Sequence, residues 1–297
     1  MPGSVAMTER LAERPRDLLV SGHVNVDRFL QLPRFPPGDR TVPVESRRVA
    51  LGGTAANIAL SATRYGVATG LVARLGEEFP SVFWDRLERA RIDLRGVERV
   101  RGASTPTAYI LEDRRGRHRT LMDQGPMGRP SSRTPPRPWL REYSWMHLTT
   151  GDPDFQLRLL GEGHARGVRV AADPAQEVHY RWDRGRLKKL LAGAEILFGN
   201  RSEVDRAARL SGARGAAGLL ASVPLIVRTE GAAGVTGFAR TGAVHVPAVR
   251  PRVVRSLVGA GDSFRGGFYA AWFEGEELRD CLRAGTRAAA RWMEGAR

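Results

Sequence analysis

From residue 145 onward the chain alternates short apolar runs with longer amphipathic stretches, and that rhythm limits the folds open to it. The apolar runs at 145–149, 168–172, 195–198 and 225–228 read as strands. Residues 154–166, 184–191, 203–210 and 214–221 read as the helices between and after them. Strands that alternate with helices pair in parallel, because each return to the same sheet edge needs a crossover. The expectation is an α/β fold: a central, mostly parallel sheet flanked by helices on both faces.

The first half is less regular. Residues 18–26 read as a buried first strand that ends at Asp27. Short extended pieces at 29–32 and 42–49 surround a turn region at 33–38, and a helix at 55–65 starts after Gly52-Gly53 and stops at Gly66. A strand at 70–75 and a helix at 81–90 follow. Residues 107–112 and 117–122 flank a hairpin turn at 113–116. A second hairpin, 233–239 with 243–247, precedes final helices at 261–274 and 277–291. The extended pieces near 28–50 and 107–122 make a small β lid. The proline-rich stretch 130–138 reads as a surface connection, and no internal repeat is visible.

The 297 residues suit one large domain, here 18–297, and 42% hydrophobic content is enough to bury its core. Residues 1–17 form a polar, flexible leader with no apolar h-region, and Met7 offers a second start. No run approaches the ~20 apolar residues of a membrane span. The single cysteine, Cys281, excludes an intramolecular disulfide and fits a reducing, cytoplasmic setting. A net charge of +15 invites a nucleic-acid reading. Yet Lys188 and Lys189 are the only lysines among 47 basic residues, and the arginines are scattered among acids, as in Arg86-Leu87-Glu88-Arg89. No basic motif interleaved with aromatics emerges, so no specific nucleic-acid partner is expected.

Chemistry concentrates at Gly259-Ala260-Gly261-Asp262-Ser263-Phe264. Backbone amides at a helix start, with no side chains in the way, form an anion site. An aspartate set inside such a site makes sense where it takes a proton from a hydroxyl while the amides hold a migrating phosphoryl group. The alternative is a strand-to-helix turn in which Asp262 only caps the helix. The chain has three asparagines, Asn25, Asn57 and Asn200, and each falls in a separate short motif. These motifs are Gly22-His23-Val24-Asn25-Val26-Asp27, Gly52-Gly53-Thr54-Ala55-Ala56-Asn57 and Asn200-Arg201-Ser202-Glu203.

Those four segments, in this order, resemble the ribokinase-like (phosphofructokinase-B type) family of sugar and nucleoside kinases. The resemblance runs from about residue 18 to 293 and implies a ribokinase-like fold, with ATP and magnesium as cofactors. It implies Asp262 as general base and the amides of Gly259, Ala260 and Gly261 as the phosphate hole. Asn25, Asp27, Gly52, Gly53 and Asn57 would bind substrate hydroxyls. Asn200 and Glu203 would order magnesium and phosphate, although their spacing is equally that of a helix capping box. Thr229, Gly231 and Gly234 are similar to the family's nucleotide-side T-x-G-x-x-G, with Glu230 where lysine is common. Gly266 and Gly267 would let the last-but-one helix sit tightly against the sheet.

Met146 to Pro153, Ala172-Asp173-Pro174-Ala175-Gln176-Glu177 and Gln124-Gly125-Pro126-Met127 resemble archaeal-type nucleoside kinases. They imply a small-molecule acceptor, a nucleoside phosphorylated at its 5′-hydroxyl, with Gln176 on the substrate side. A sugar kinase of ribokinase or fructokinase type, and a nucleoside-binding regulatory protein with weak catalysis, are the alternatives. Ser256-Leu257-Val258 departs from the family's D-T-x, which weakens any monovalent-cation site. The chain ends at Arg297 without the family's G-x-Q near the adenine. The lid strands offer a surface for a homodimer.

Overall fold

The computed structural model describes residues 16–130 and 137–295. In chain order the first half contains β1 (Arg16–Ser21), β2 (Asn25–Leu32), β3 (Ser46–Gly52), α1 (Thr54–Arg64), β4 (Thr69–Gly76), α2 (Ser81–Arg89), β5 (Asp93–Val100), β6 (Thr107–Asp113) and β7 (His118–Asp123). The second contains β8 (Tyr143–Leu148), α3 (Pro153–His164), β9 (Arg169–Ala172), α4 (Arg184–Ala192), β10 (Ile196–Asn200), α5 (Arg201–Ser211), α6 (Gly215–Leu219), β11 (Leu225–Thr229), β12 (Val235–Ala239), β13 (Gly242–Val246), α7 (Ala260–Phe273) and α8 (Leu278–Met293).

Nine strands form the main sheet in the order β13-β12-β11-β10-β9-β8-β1-β4-β5. Its pairs from β5 through β11 are parallel, and the hairpin β12–β13 closes one edge antiparallel. Alternation along β1 shows how the layers divide. Leu18 and Val20 enter one core with Ile58, Leu87, Phe268 and Leu282, from α1, α2, α7 and α8. Leu19 enters the other with Leu159, Leu187, Val204 and Leu219, from α3 to α6. Both faces are therefore covered, as a parallel sheet requires.

A four-stranded sheet in the order β3-β2-β6-β7 forms the lid. Here the structure corrects the expected first strand at 18–26. β1 stops at Ser21, and the chain leaves the main sheet to enter the lid at Asn25. A side chain at Gly22, where the transfer begins, would come within 2.6 Å of Thr149. Both stretches are apolar because both are buried, so hydropathy carries no mark of the crossing. Arg16 and Asp17, counted above in the leader, belong to β1. Residues 1–15 of that leader, and 131–136 of the proline-rich stretch, lie outside the described residues.

Candidate active site

α7 opens at Gly259, whose φ of 85° is left-handed and favours glycine. A Cβ there would also come within 2.7 Å of Trp292, whose indole nitrogen donates to the Val258 carbonyl at 2.8 Å. The last turn of α8 thus backs the glycine loop, a support the motif reading missed. The amide of Ala260 closes a turn on the Leu257 carbonyl at 3.2 Å, so it is not one of the bare donors expected above. The amides of Gly261 and Asp262 stand in the first turn, where a helix offers them no acceptor.

Asp262 is half-buried in that turn and accepts a hydrogen bond from the Asn57 side chain at 2.9 Å. Burial pushes its carboxyl up to about 6, while Arg265 and the Asn57 bond pull it back down. α1 brings Asn57 there by packing closely on α7. A Cβ on Gly266 would overlap Ser61 and Ala62 of α1, and one on Gly267 would overlap Ala288 and Ala284 of α8. The glycine pair therefore serves helix–helix contact, not contact with the sheet as expected. Ser61 fixes the same junction by bonding the Ser263 carbonyl at 3.1 Å.

The chain of contacts continues from α1 into the lid. Asn57 donates its backbone N–H to the Gly53 carbonyl at 2.9 Å. Gly53 leaves room for the His23 carbonyl and the Asn25 side chain, and Gly52 for the Asp27 carboxylate; a Cβ at either would overlap them. Asn25 and Asp27 share one face of β2, and the Asn25 amide donates to Asp27 at 2.6 Å. Both are buried, and Asn25 Oδ1 has no hydrogen-bond partner among the described residues. An orphaned buried acceptor beside a carboxylate is what a polyhydroxylated ligand would satisfy.

On the other side, the junction of β10 and α5 delivers Asn200 and Glu203. They form a complete capping box: Glu203 N donates to Asn200 Oδ1 at 3.0 Å, and Asn200 N to Glu203 Oε2 at 2.7 Å. Burial first, then the negative charges of Asp173 and Asp262, raise the Glu203 carboxyl. Thr229 ends β11, and Gly231 and Gly234 follow in a tight turn. Glu230 pairs with Arg228 at 2.6 Å and Arg201 at 3.2 Å. Gln176 is exposed on the short turn after β9. Its neighbour Glu177 is buried, takes the Gly151 amide at 2.6 Å and lies 4.0 Å from His23. Burial pushes Glu177 up to about 7 and His23 down to about 4.

The model of the pfkB family carbohydrate kinases matches residues 15–293. The chain belongs to that family. It is a phosphotransferase with an alcohol group as acceptor. A nucleoside kinase of Methanothermobacter thermautotrophicus is 32% identical over 277 residues, 92% of this chain and 88% of that protein. An ATP-dependent ribose-1-phosphate kinase of Halopiger xanaduensis is 30% identical over 266 residues, 89% of this chain and 88% of its own length. The crystal structure of the Methanocaldococcus jannaschii nucleoside kinase superposes with a TM-score of 0.85 at 24% identity, covering 95% of this chain and 92% of that one. The expected fold class, a mostly parallel sheet flanked by helices with a small β lid, is met. Among the described residues no group of three or more acidic, histidine or cysteine side chains could hold a metal alone. No described helix is long and apolar enough to cross a membrane.

Proposed function

We propose that this kinase transfers the γ-phosphate of ATP to the 5′-hydroxyl of a nucleoside. The observation that carries the reading is Asp262 in the first turn of α7, tied through Asn57 to the Gly52-Gly53 wall that shelters Asn25 and Asp27. Asn25 and Asp27 bind the ribose hydroxyls, and the acceptor hydroxyl comes to Asp262. That hydroxyl gives its proton to Asp262 as its oxygen bonds the γ-phosphorus. The bond from phosphorus to the β–γ bridging oxygen breaks, and ADP leaves with the electron pair. The amides of Gly261 and Asp262, with the helix dipole behind them, receive the charge on the phosphoryl oxygens. A carboxyl near pH 6 suits the task, since it is ionised at neutral pH and basic enough to accept the proton.

Magnesium fits this site as the partner of the nucleotide. It commonly keeps several waters and uses one or two carboxylates plus substrate phosphates. Glu203, buried at the mouth of β10 with one oxygen spent on its cap, would hold the hydrated ion beside Asn200. When bound, the ion supplies positive charge against the phosphates. Thr229, Gly231 and Gly234 line the nucleotide side, and Gln176 and the buried Glu177 the acceptor side. The exposed lid face also carries a row in register across all four strands: Val49, Arg28, Tyr109 and Leu121. Its apolar members are 50%, 40% and 62% exposed, and we propose that this row pairs two subunits.

A phosphoryl-transfer assay with labelled ATP, run over nucleosides, ribose-1-phosphate and free sugars, tests the acceptor. Transfer to nucleosides above an Asp262→Ala control supports the reading. Transfer confined to ribose-1-phosphate or a free sugar moves the protein to another member of the same chemistry. Tight nucleoside binding without transfer would make it a binding protein.

A further inference from the structure

Arg265 lies one turn past Asp262 on α7, in a buried face that also carries Phe264, Phe268 and Tyr269. A charge there needs a reason, because burying a guanidinium is costly unless it is paired. It is 5% exposed, and each of its three guanidinium nitrogens donates a hydrogen bond. Nε donates to Asp173 Oδ2 at 2.7 Å and Nη2 to Asp173 Oδ1 at 3.1 Å. Nη1 reaches back to the Gly261 carbonyl at 2.8 Å. Asp173 follows β9, and its Oδ2 also meets His147 Nε2 of β8 at 3.2 Å. His147 Nδ1 meets the Tyr269 hydroxyl at 2.8 Å, four residues beyond Arg265 on the same helix.

The four residues close a loop that starts and ends on α7 and passes through two central strands. His147, Asp173 and Tyr269 are completely buried. Burial keeps His147 neutral, so Nε2–H donates to Asp173 and Nδ1 accepts from the tyrosine. Despite burial, Arg265 and His147 hold the Asp173 carboxyl below its ordinary range. None of these groups has a part in the transfer steps above. Stability alone is weak grounds for such a set, since apolar residues of like volume often replace buried ion pairs without loss.

We propose that Arg265, locked onto Asp173, is the positioning residue of the catalytic turn: it holds the Gly261 carbonyl and supplies the positive charge shared by Asp173, Asp262 and Glu203. The proposal rests on the reading of Asp262 as the base. The groups that face Asp262 are Arg265 from its own helix, Asn57 from α1, Asp173 from the end of β9 and, farther off, Glu203 from α5. Arg265 draws its carboxyl down and Asp173 pushes it up. Removing the two therefore has opposite signs, which a purely structural role would not produce.

The test measures kcat, KM and the pH profile of Arg265→Met, Arg265→Lys and Asp173→Asn, with ATP and whichever nucleoside the acceptor panel selects. For Arg265→Met we expect kcat to fall ~10²-fold, the cost of a small displacement of reacting groups. The nucleoside KM stays near wild type, because Asn25 and Asp27 are untouched. The acid limb of kcat rises by ~1 pH unit in Arg265→Met and falls in Asp173→Asn, following the sign of the charge removed. Arg265→Lys restores part of the rate and of the limb. Where Arg265→Met fails to fold with Asp173 left unpaired, the double variant Arg265→Met with Asp173→Leu removes both charges together, and it still loses kcat at unchanged KM. An activity-free arm follows the pH dependence of the stability gained on Asp262→Asn, which extends to higher pH in the Arg265→Met background. Equal losses of rate with unmoved acid limbs and an unmoved stability profile would overturn the proposal. A shifted stability profile in a protein without transfer would overturn the kinase reading, and the catalytic positioning role with it, while leaving the coupling of Arg265 to Asp262 in place.

Discussion

Asp262 and Asp27 stand on opposite walls of the proposed site, and the fold fastens the two walls differently. Asp262 sits on α7, a helix held by α1, α8 and a buried ionic loop into the main sheet. Asp27 sits on β2 of a four-stranded sheet whose far face is open to solvent. Phosphoryl transfer needs its base and anion donors within a fraction of an ångström, whereas hydroxyl recognition tolerates adjustment. On the proposed reading, the wall anchored in the main sheet, the rigid one, carries the chemistry, and the lid wall carries the substrate.

The most severe way to probe the contrast is at the rigid wall. Asp262→Ala removes the proposed base, and kcat should drop ~10²–10⁴-fold with nucleoside binding retained, as steady-state kinetics and calorimetry would show. A loss confined to KM would reverse the roles of the two walls. In the wild type, kcat should climb with pH through about 6 and then level off, since the base works only when ionised. At the lid, Asp27→Ala should act mainly on KM, raising it ~10–100-fold for loss of hydrogen bonds to a charged group. A fall in kcat of the same size would mean that the lid also sets the reacting geometry.

The proposed base, Asp262, carries a cost in stability that can be measured. Its carboxyl ionises near 6 in the folded protein against an ordinary 3.8. Folding therefore favours the protonated form, a benefit complete below about 3.8 and lost as pH rises through about 6. Asp262→Asn mimics that form. At pH 8 it should be more stable than wild type by on the order of 2–3 kcal/mol, with the difference vanishing near pH 4. Chemical denaturation at the two pH values would decide. Equal stabilities at pH 8 would mean that the turn holds the ionised carboxylate without strain.

The rigid wall was also the more legible one from sequence. Gly259-Ala260-Gly261-Asp262 marks its own turn, and the apolar runs of β8 to β11 mark strands buried on both faces. What sequence did not reveal was the Arg265–Asp173 pair, because 92 residues separate the partners and no local rule couples them. A signal existed: Arg265, His147 and Asp173 each interrupt or border an apolar run, and a polar residue there needs a partner. β5 was missed for the opposite reason. At the sheet edge its Arg95, Glu98 and Arg99 reach solvent, so it lacks the apolar run of a central strand. In the lid, the hairpin turn at 113–116 located β6 and β7, but the crossing at Gly22 left no trace in hydropathy.

The smallest effect is expected at the outer face of the lid. Tyr109 and Leu121 are cross-strand neighbours on β6 and β7, both exposed, with Val49 beyond Arg28 in the same row. Tyr109→Glu should leave the folded subunit within ~0.5 kcal/mol of wild type, because an exposed side chain loses little. If the row pairs two subunits, the same change puts two negative charges and lost apolar area into one symmetric patch, each copy meeting its own equivalent. Sedimentation velocity would then show dimers turning into monomers, with the Asp27-dependent KM rising slightly as the lid loses its support. A monomer at every concentration in both forms would mean that the lid acts alone, and the tolerance of the substrate wall would belong to a single subunit.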